Sequence, residues 1–475
     1  MKVLLVNPPY LPEERYGNLA AFGPTNEPLG LAYIAGSLEA SGVEVKIADA
    51  PALRMSVEEI GNWVMRDRFD LVGVTMLTPM YHRSLEVLRR ARKSSPTVRT
   101  VVGGPHPTVL PEQTLEEIPE LDFAVIGEGE MAAVELAEAL EGKRSLDSVA
   151  GLAFRKDGNI LVNPTRPPVK NLDQLPLPAR HLLPMDAYRM TRSRTQAEHS
   201  YTVSVARGCP FRCAYCFRTF GRAFRPHSPA RIIQEMFLLV DQYGAKEINL
   251  EADTITLNRS FILDLCRALV ESGLSRRVQW TCESRVDTVD EEILRAMKDA
   301  GCWQVSYGVE SGSQRLLDLI EKGITLDQVE KTFALTKKLG IAIRAFFMLG
   351  LPTETREESW QTIRLARKLN AGWSQFTITV PFPGTKLYEL ARAEGALRSA
   401  RWADFKTYGG WTEGELVYVP KGRSAAELKS LQRKALKSFY LRPAVFWRFL
   451  KSIRSYEQFR EAARGFFTLV KTRTG

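Results

Sequence analysis

The sequence predicts an α/β protein of two successive parallel-sheet units, an open sheet and then an incomplete barrel, ending in a helical segment. Three observations carry this. Short apolar runs alternate with helical stretches from Met1 to about Gly142 and again from Tyr201 onward, the pattern of parallel strands joined by helical crossovers. Residues 145–180 break the alternation with a hairpin signal and the prolines Pro164, Pro167, Pro168, Pro176 and Pro178, as an extended connector does. The segment from Lys421 to Gly475 holds 14 Lys+Arg against 3 Asp+Glu, whereas the rest of the chain holds 51 against 52. The expected units are 1–143, the connector 144–198, the barrel 199–410 and a basic helical region 411–475.

In the first unit the predicted strands are Lys2–Asn7, Val43–Ala48, Leu71–Thr75, Thr100–Gly104 and Phe123–Glu128. Helices are expected near Leu29–Ser41, Val57–Arg66, Tyr81–Lys93 and Met131–Leu140. Right-handed crossovers turn this order into a Rossmann- or flavodoxin-like open parallel sheet, whose ligands sit beyond the carboxyl ends of the strands. Those ends read Asn7-Pro8-Pro9-Tyr10, Thr75-Met76-Leu77-Thr78-Pro79, Gly103-Gly104-Pro105-His106-Pro107-Thr108 and Gly127-Glu128-Gly129-Glu130. Paired glycines let backbone approach a bulky planar ligand, although glycine and proline are also ordinary turn residues. No G-x-G-x-x-G follows the first strand, which disfavours a dinucleotide site.

The connector holds a predicted hairpin, Gly151–Arg155 and Asn159–Asn163, around Asp157-Gly158. The barrel strands are expected at Tyr201–Ala206, Glu247–Glu251, Gln279–Cys282, Gln304–Gly308, Ile343–Met348 and Gln375–Thr379. Six such units suit a partial, TIM-like (β/α)6 barrel, with its site on the loops at the carboxyl ends of the strands.

The first of those loops contains Cys209, Cys213 and Cys216, spaced C-x3-C-x2-C. Three thiolates are one short of a closed metal site: an iron–sulfur cube takes four, and structural zinc takes four in two spaced pairs. The other cysteines, Cys266, Cys282 and Cys302, stand alone in apolar settings and read as packing residues. Six cysteines in 475 residues are too sparse for a disulfide framework. The amino terminus is too short in apolar residues for a signal segment, and no apolar run is long enough to span a membrane. A cytoplasmic protein is expected, with peripheral membrane contact left open by the tail. The neutral body excludes a general nucleic-acid surface.

The cysteine spacing, with an aromatic before the third Cys, resembles the radical S-adenosylmethionine (radical SAM) superfamily. The V-N-P-P, G-G-P-H-P-T and I-G-E-G-E segments, and Leu175-Pro176-Leu177-Pro178-Ala179-Arg180, resemble the members that carry a B12-binding domain. The resemblance implies a [4Fe-4S] cluster on Cys209, Cys213 and Cys216, S-adenosylmethionine (SAM) on its open iron, and cobalamin on the first sheet. For SAM it implies Tyr215 packed on adenine, Asp253 in the place of the family's Gly-Gly-Glu segment, Glu283 and Arg285 beside the cluster, and Glu310 toward the ribose. For cobalamin it implies Asn7, Tyr10, Thr75, Gly103, Gly104, Gly127 and Glu128. The D-x-H-x-x-G motif of some cobalamin proteins is absent, so no histidine from the loop after the first strand is expected under cobalt, and His106 reads as a surface or packing residue.

The activity so implied is a cobalamin-dependent methyltransferase that removes hydrogen from an unactivated carbon and delivers a methyl group. Two alternatives stand beside it, a radical cyclase or rearrangement enzyme without methyl transfer, and a non-catalytic cobalamin or iron–sulfur sensor. The substrate class (small metabolite, lipid or peptide) is open, and an external electron donor is required. Each site residue also has a bland reading: Asp253 and Glu310 as helix caps, Arg285 as a partner of Glu283 or Asp287. The tail places Val445, Phe446, Phe449, Leu450 and Ile453 on one helical face, with a second stretch from Phe459 to Val470 repeating the pattern. Such helices suit either an anionic membrane surface or packing on the barrel.

Overall fold

The computed structural model describes residues 1–188, 195–197, 199–443 and 445, apart from the side chains at 21 and 22. The first sheet has seven strands: β1 (Lys2–Asn7), β2 (Glu44–Asp49), β3 (Leu71–Thr75), β4 (Arg99–Gly103), β5 (Phe123–Val125), β6 (Leu152–Lys156) and β7 (Asn159–Val162). Their order is β2-β1-β3-β4-β5-β6-β7. The first five are parallel, which is the flavodoxin-like order. Alternate residues of β1 face opposite ways. Val3 and Leu5 pack with the helices Leu29–Ala40 and Gly129–Leu140, while Leu4 and Val6 pack with Val57–Asp67 and Tyr81–Ser94.

The predicted hairpin joins this sheet. β6 pairs antiparallel with β5, and β7 with β6. Asp157 and Gly158 both take positive φ, 49° and 80°, as a two-residue hairpin loop requires. β5 is shorter than expected because Ile126 already turns to Gly151, its N–H donating to the Gly151 carbonyl at 2.7 Å.

The second sheet runs β8 (Ser200–Ser204), β11 (Glu247–Glu251), β12 (Gln279–Ser284), β13 (Cys302–Glu310), β14 (Ala342–Leu349) and β15 (Trp373–Ile378), each parallel to the next. β15 and β8 form opposite edges, so the barrel is incomplete. A separate ribbon, β9 (Ala206–Arg207) with β10 (Arg225–Pro226), closes the base of the cysteine loop. Trp280, Tyr307, Phe347 and Phe376 are buried; Tyr307 packs on Phe333 and Phe376 on Phe439, each from a covering helix. Helix Ala425–Tyr440 covers β15, where the Tyr440 hydroxyl donates to the Ser374 carbonyl at 2.8 Å and accepts from its N–H at 3.1 Å. Residues beyond Val445, with the two amphipathic stretches, lie outside the described residues. Among the described residues no helix is long and apolar enough to cross a membrane.

The two sheets are joined through the connector by buried charge. Arg180 bonds Glu27 of the first unit (3.2 Å) and Glu235 of the barrel (2.5 Å), and donates to the Thr202 carbonyl of β8 (2.6 Å). Burial raises the Glu27 carboxyl, and the Arg180 charge opposes that rise. Such a pair stabilises only while both partners are present, since removing one strands a buried charge.

Candidate active site

The cysteine loop springs from the carboxyl end of β8. Gly208 begins it at φ 90°, and a Cβ there would lie 2.1 Å from the Ala223 carbonyl oxygen; glycine alone fits so tight a crossing. The Cys209 N–H donates to the Gly221 carbonyl (3.2 Å), and Cys216 N–H to that of Cys213 (3.1 Å). Ala214 ties the loop to two others, donating to the Ile320 carbonyl and accepting from the Leu387 N–H, each at 2.9 Å. All three cysteines are free, with Cys213 buried and Cys216 exposed. Burial pushes the Cys209 thiol up, with the Asp253 carboxylate adding to it.

The charged residues expected at the strand ends gather around this loop. Asp253 follows β11 and faces the thiols closely enough to shift them; its own carboxyl is raised by burial and by the nearby Glu283, against an N–H bond from Gly208. Neither Asp253 nor Glu310 caps a helix, because Asn258 and Ser313 hold those positions. Arg285 follows β12. It pairs with both oxygens of Asp287 (2.9 and 2.8 Å), donates to the Lys322 carbonyl (2.7 Å) and lies 3.7 Å from the Cys213 sulfur. Its guanidinium stacks 3.6 Å from the centre of the Phe211 ring. The bland pairing and the cluster-side position therefore hold together in one residue.

Glu310 ends β13 after a register shift and takes φ 68°, a left-handed conformation that non-glycine residues adopt at a cost. Its Oε1 accepts from the Tyr215 hydroxyl (2.9 Å) and from Lys322 Nζ (2.9 Å), and Lys322 also donates to the Tyr215 oxygen (3.0 Å). A Cβ on Gly308 would come within 2.5 Å of Glu310 Oε1 and 2.8 Å of Lys322 Nζ. Leu351, of the Gly350-Leu351-Pro352 turn, packs beside Tyr215. Sequence reasoning missed Lys322. It lies in a loop between two helices, and only the fold brings it 12 residues back to Glu310.

At the rim of the first sheet the expected ligand contacts divide. The Tyr10 ring is buried, edge-on to His82, and its hydroxyl is buried without a partner. Gly127 takes φ 84° with open space where a Cβ would point. Gly104 takes φ 118° against the Met76 carbonyl, and the Gly103 carbonyl accepts from the Met76 N–H. Thr75 lies at the end of β3, its carbonyl accepting from the Ser84 hydroxyl. Two residues have other tasks. Asn7 donates to Asp49 Oδ1 (2.8 Å), whose other oxygen accepts from Tyr188 (2.7 Å). The Glu128 carboxylate is taken up by Arg225 and the Val169 N–H, so it joins the two units instead of standing free at the rim. His106 is a packing residue, buried edge-on to Tyr81 and Trp402 with Nδ1 at 3.3 Å from the Thr78 hydroxyl.

The donor chemistry fits the implied groups. Among the described residues no three His, Cys, Asp or Glu side chains close around a single ion, yet the three thiols share one loop and influence one another's protonation. Three spread thiolates suit a cube that takes each on a different iron. On the first sheet, an orphaned buried hydroxyl and an open glycine face suit a large ligand held by backbone and ring contacts.

Two family models match the chain, the B12 binding domain over residues 17–137 and the radical SAM superfamily over residues 203–366. A protein of Pyrococcus horikoshii described as uncharacterized methyltransferase PH0819 is 38% identical over 469 residues, covering 98% of each chain. The anaerobic magnesium-protoporphyrin IX monomethyl ester cyclase of Rubrivivax gelatinosus is 30% identical, over 82% of this chain and 70% of its own. The solved structure of the radical SAM methyltransferase TsrM from Kitasatospora setae, with cobalamin and a [4Fe-4S] cluster bound, superposes with a TM-score of 0.70 at 20% identity, covering 93% of this chain and 89% of that one. With both sequence models matched in order and a full-length relative at this identity, the chain belongs to the radical SAM enzymes that carry a B12 binding domain.

Proposed function

We propose that this protein is a cobalamin-dependent radical SAM methyltransferase that acts on an unactivated carbon of a small organic substrate. The observation that carries the reading is the three-thiol loop on a parallel barrel, joined by buried ion pairs to a flavodoxin-like sheet with an open rim. In such an enzyme the bound cluster supplies the electron that cleaves SAM, and cobalamin supplies the transferable methyl group.

The chain's own residues have separable tasks. Cys209, Cys213 and Cys216 hold the cluster as thiolates, so loading it releases protons. Arg285, beside Cys213, sets a fixed positive charge against a sulfur ligand and favours the reduced, more negative state. Glu310 offers carboxylate oxygens to ribose hydroxyls, and the Lys322 hydrogen bond to its Oε1 holds it in place. Tyr215 presents its ring next to Leu351, a slot suited to adenine. Asp253 and Glu283 supply negative charge for an ammonium group. Tyr10, Thr75, Gly103, Gly104 and Gly127 border the corrinoid. An external one-electron donor would reduce the cluster before each SAM cleavage.

The identity with the cyclase relative favours one second reading, the same cofactors used for ring closure without methyl transfer. Both are tested by reconstituting the protein anaerobically with iron, sulfide and cobalamin, then adding a low-potential reductant, SAM labelled with a deuterated methyl group, and a small-molecule extract. Methyl transfer is expected to yield 5′-deoxyadenosine and a product heavier by the labelled methyl. 5′-Deoxyadenosine with an unlabelled product would favour the cyclase. Failure to bind corrinoid, or to cleave SAM, would refute the assignment.

A further inference from the structure

We propose that Glu128-Gly129-Glu130, the N-terminal turn of the helix Gly129–Leu140, is the positioning device that fixes the cluster loop relative to the corrinoid rim. Glu130 acts through Arg207 and Glu128 through Arg225. The proposal rests on the reading above, in which the two units hold the two cofactors.

The loop that carries all three thiols leaves the barrel at Arg207 and returns at Arg225, and these two residues are paired directly across the ribbon β9–β10. Each ribbon strand is two residues long, far too little to hold its own shape. Both arginines reach instead to one turn of the other unit. Arg207 Nη2 lies 2.5 Å from Glu130 and its Nη1 lies 3.7 Å from Glu128. Arg225 Nη2 lies 2.5 Å from Glu128, with Nη1 at 3.3 Å. All four side chains are less than a tenth exposed.

Charges so buried have few alternative partners, so the loop has one low-energy seat. The Arg207 guanidinium adds a face contact to Tyr33 of the first unit at 5.4 Å and to Phe220 of the loop itself at 5.0 Å. The residue preceding Glu128 is Gly127, whose Cβ direction is open. One short turn thus borders the corrinoid rim on one side and grips the roots of the cluster loop on the other. A ligand seated against Gly127 would lie beside Glu128 and close in sequence to Glu130, the carboxylates that hold those roots.

The test is Glu130→Gln, which keeps the shape and removes the charge. Deuterium exchange is read first on the cofactor-free protein. Amides of residues 205–226 are expected to exchange about tenfold faster or more, a loss of about 1.4 kcal/mol, while β12–β14 keep their rates. Pulsed paramagnetic resonance then reads the distance between cob(II)alamin and the reduced cluster in the loaded protein. The native distribution is expected to be narrow and that of the variant broad, whereas a lower melting temperature with both readouts unchanged would make the pair a mere stabiliser and overturn the proposal. Should Glu130→Gln not fold, Glu130→Asp keeps the charge with a shorter reach and carries the same two readouts. Native protein that takes up no corrinoid would refute the proposed function, while the exchange measurement would still decide the role of the turn.

Discussion

The two sheets of this protein obey one construction rule and present different chemistry. Both have a core of parallel strands joined by helices, and both place irregular turns at the carboxyl ends of those strands. At the rim of the first sheet the turns present backbone, an open glycine and a buried, unpartnered tyrosine hydroxyl, and the charged Glu128 and Glu130 turn toward the barrel. At the rim of the second sheet the ends of β8, β11, β12 and β13 deliver ionisable groups, three thiols, Asp253, Glu283, Arg285 and Glu310, and a helix–helix loop adds Lys322. A neutral, extended ligand is gripped by shape and backbone; a charged cofactor and a cluster need fixed opposite charges. The difference teaches that a strand-end turn announces where a ligand sits, and that its side-chain charge announces which kind.

Four substitutions would break or sharpen this contrast, beginning with the largest effect. Cys213→Ser should abolish the cluster and reduce SAM cleavage to background while corrinoid uptake at the first sheet persists; absorbance of the anaerobic protein reads both at once. Loss of both chromophores together would mean that the rims are not independent. Gly208→Ala comes next. Its Cβ would meet the Ala223 carbonyl, so iron and sulfide retention should fall about tenfold or more, since a strained left-handed residue adds at least about 1 kcal/mol before any clash.

The third substitution concerns the junction between the first sheet and residue Trp402. Burial holds the His106 imidazole at about 4, below its ordinary 6.5, with Glu117 opposing weakly. The unfolded chain therefore binds more protons than the folded one between those values, and the native protein loses stability as pH falls from 6.5 to 4. His106→Leu should flatten that limb by up to about 3 kcal/mol, read by melting temperature across the pH range; an unchanged acid limb would sink the assignment. The smallest effect is expected for Gly127→Ala. The protein leaves room for the methyl group, so the fold should lose only about 1–2 kcal/mol of backbone strain, whereas corrinoid affinity should fall further if that face borders the ligand. Unchanged cobalamin binding in a titration would remove Gly127 from the site.

Much of the architecture was legible from local pattern. β1, β3 and β11 begin and end where apolar alternation and turn residues place them, and the left-handed Asp157-Gly158 pair announced its hairpin. That hairpin's pairing with β5 was not legible, because a strand's neighbour is chosen by edge hydrogen bonding that no local pattern encodes. The three thiols were legible as a site because spacing within one loop survives folding. Arg285 was legible as a strand-end charge, yet its contact with both Asp287 and Cys213 depends on where two loops meet. The partner of Glu128 was hidden for the same reason: only the approach of β10 brings Arg225 to it. Lys322 and Arg207 carried no local signal, and Arg180 only its place in the Leu175–Arg180 segment, since each acquires its role from partners distant in the chain.

By itself the sequence determined the order of the strands along the chain, the pattern of burial within each helix and strand, and a cluster loop with one ligand too few. These are short-range properties, set by periodicity and by the reach of a few residues. The tertiary structure alone decided which carboxylates meet which guanidinium groups, which tyrosine hydroxyl is left without a partner, and how the first sheet holds the root of the cluster loop. The physical reason is that a buried charge or an orphaned hydroxyl is defined by everything that surrounds it, and those surroundings are assembled only when distant segments close.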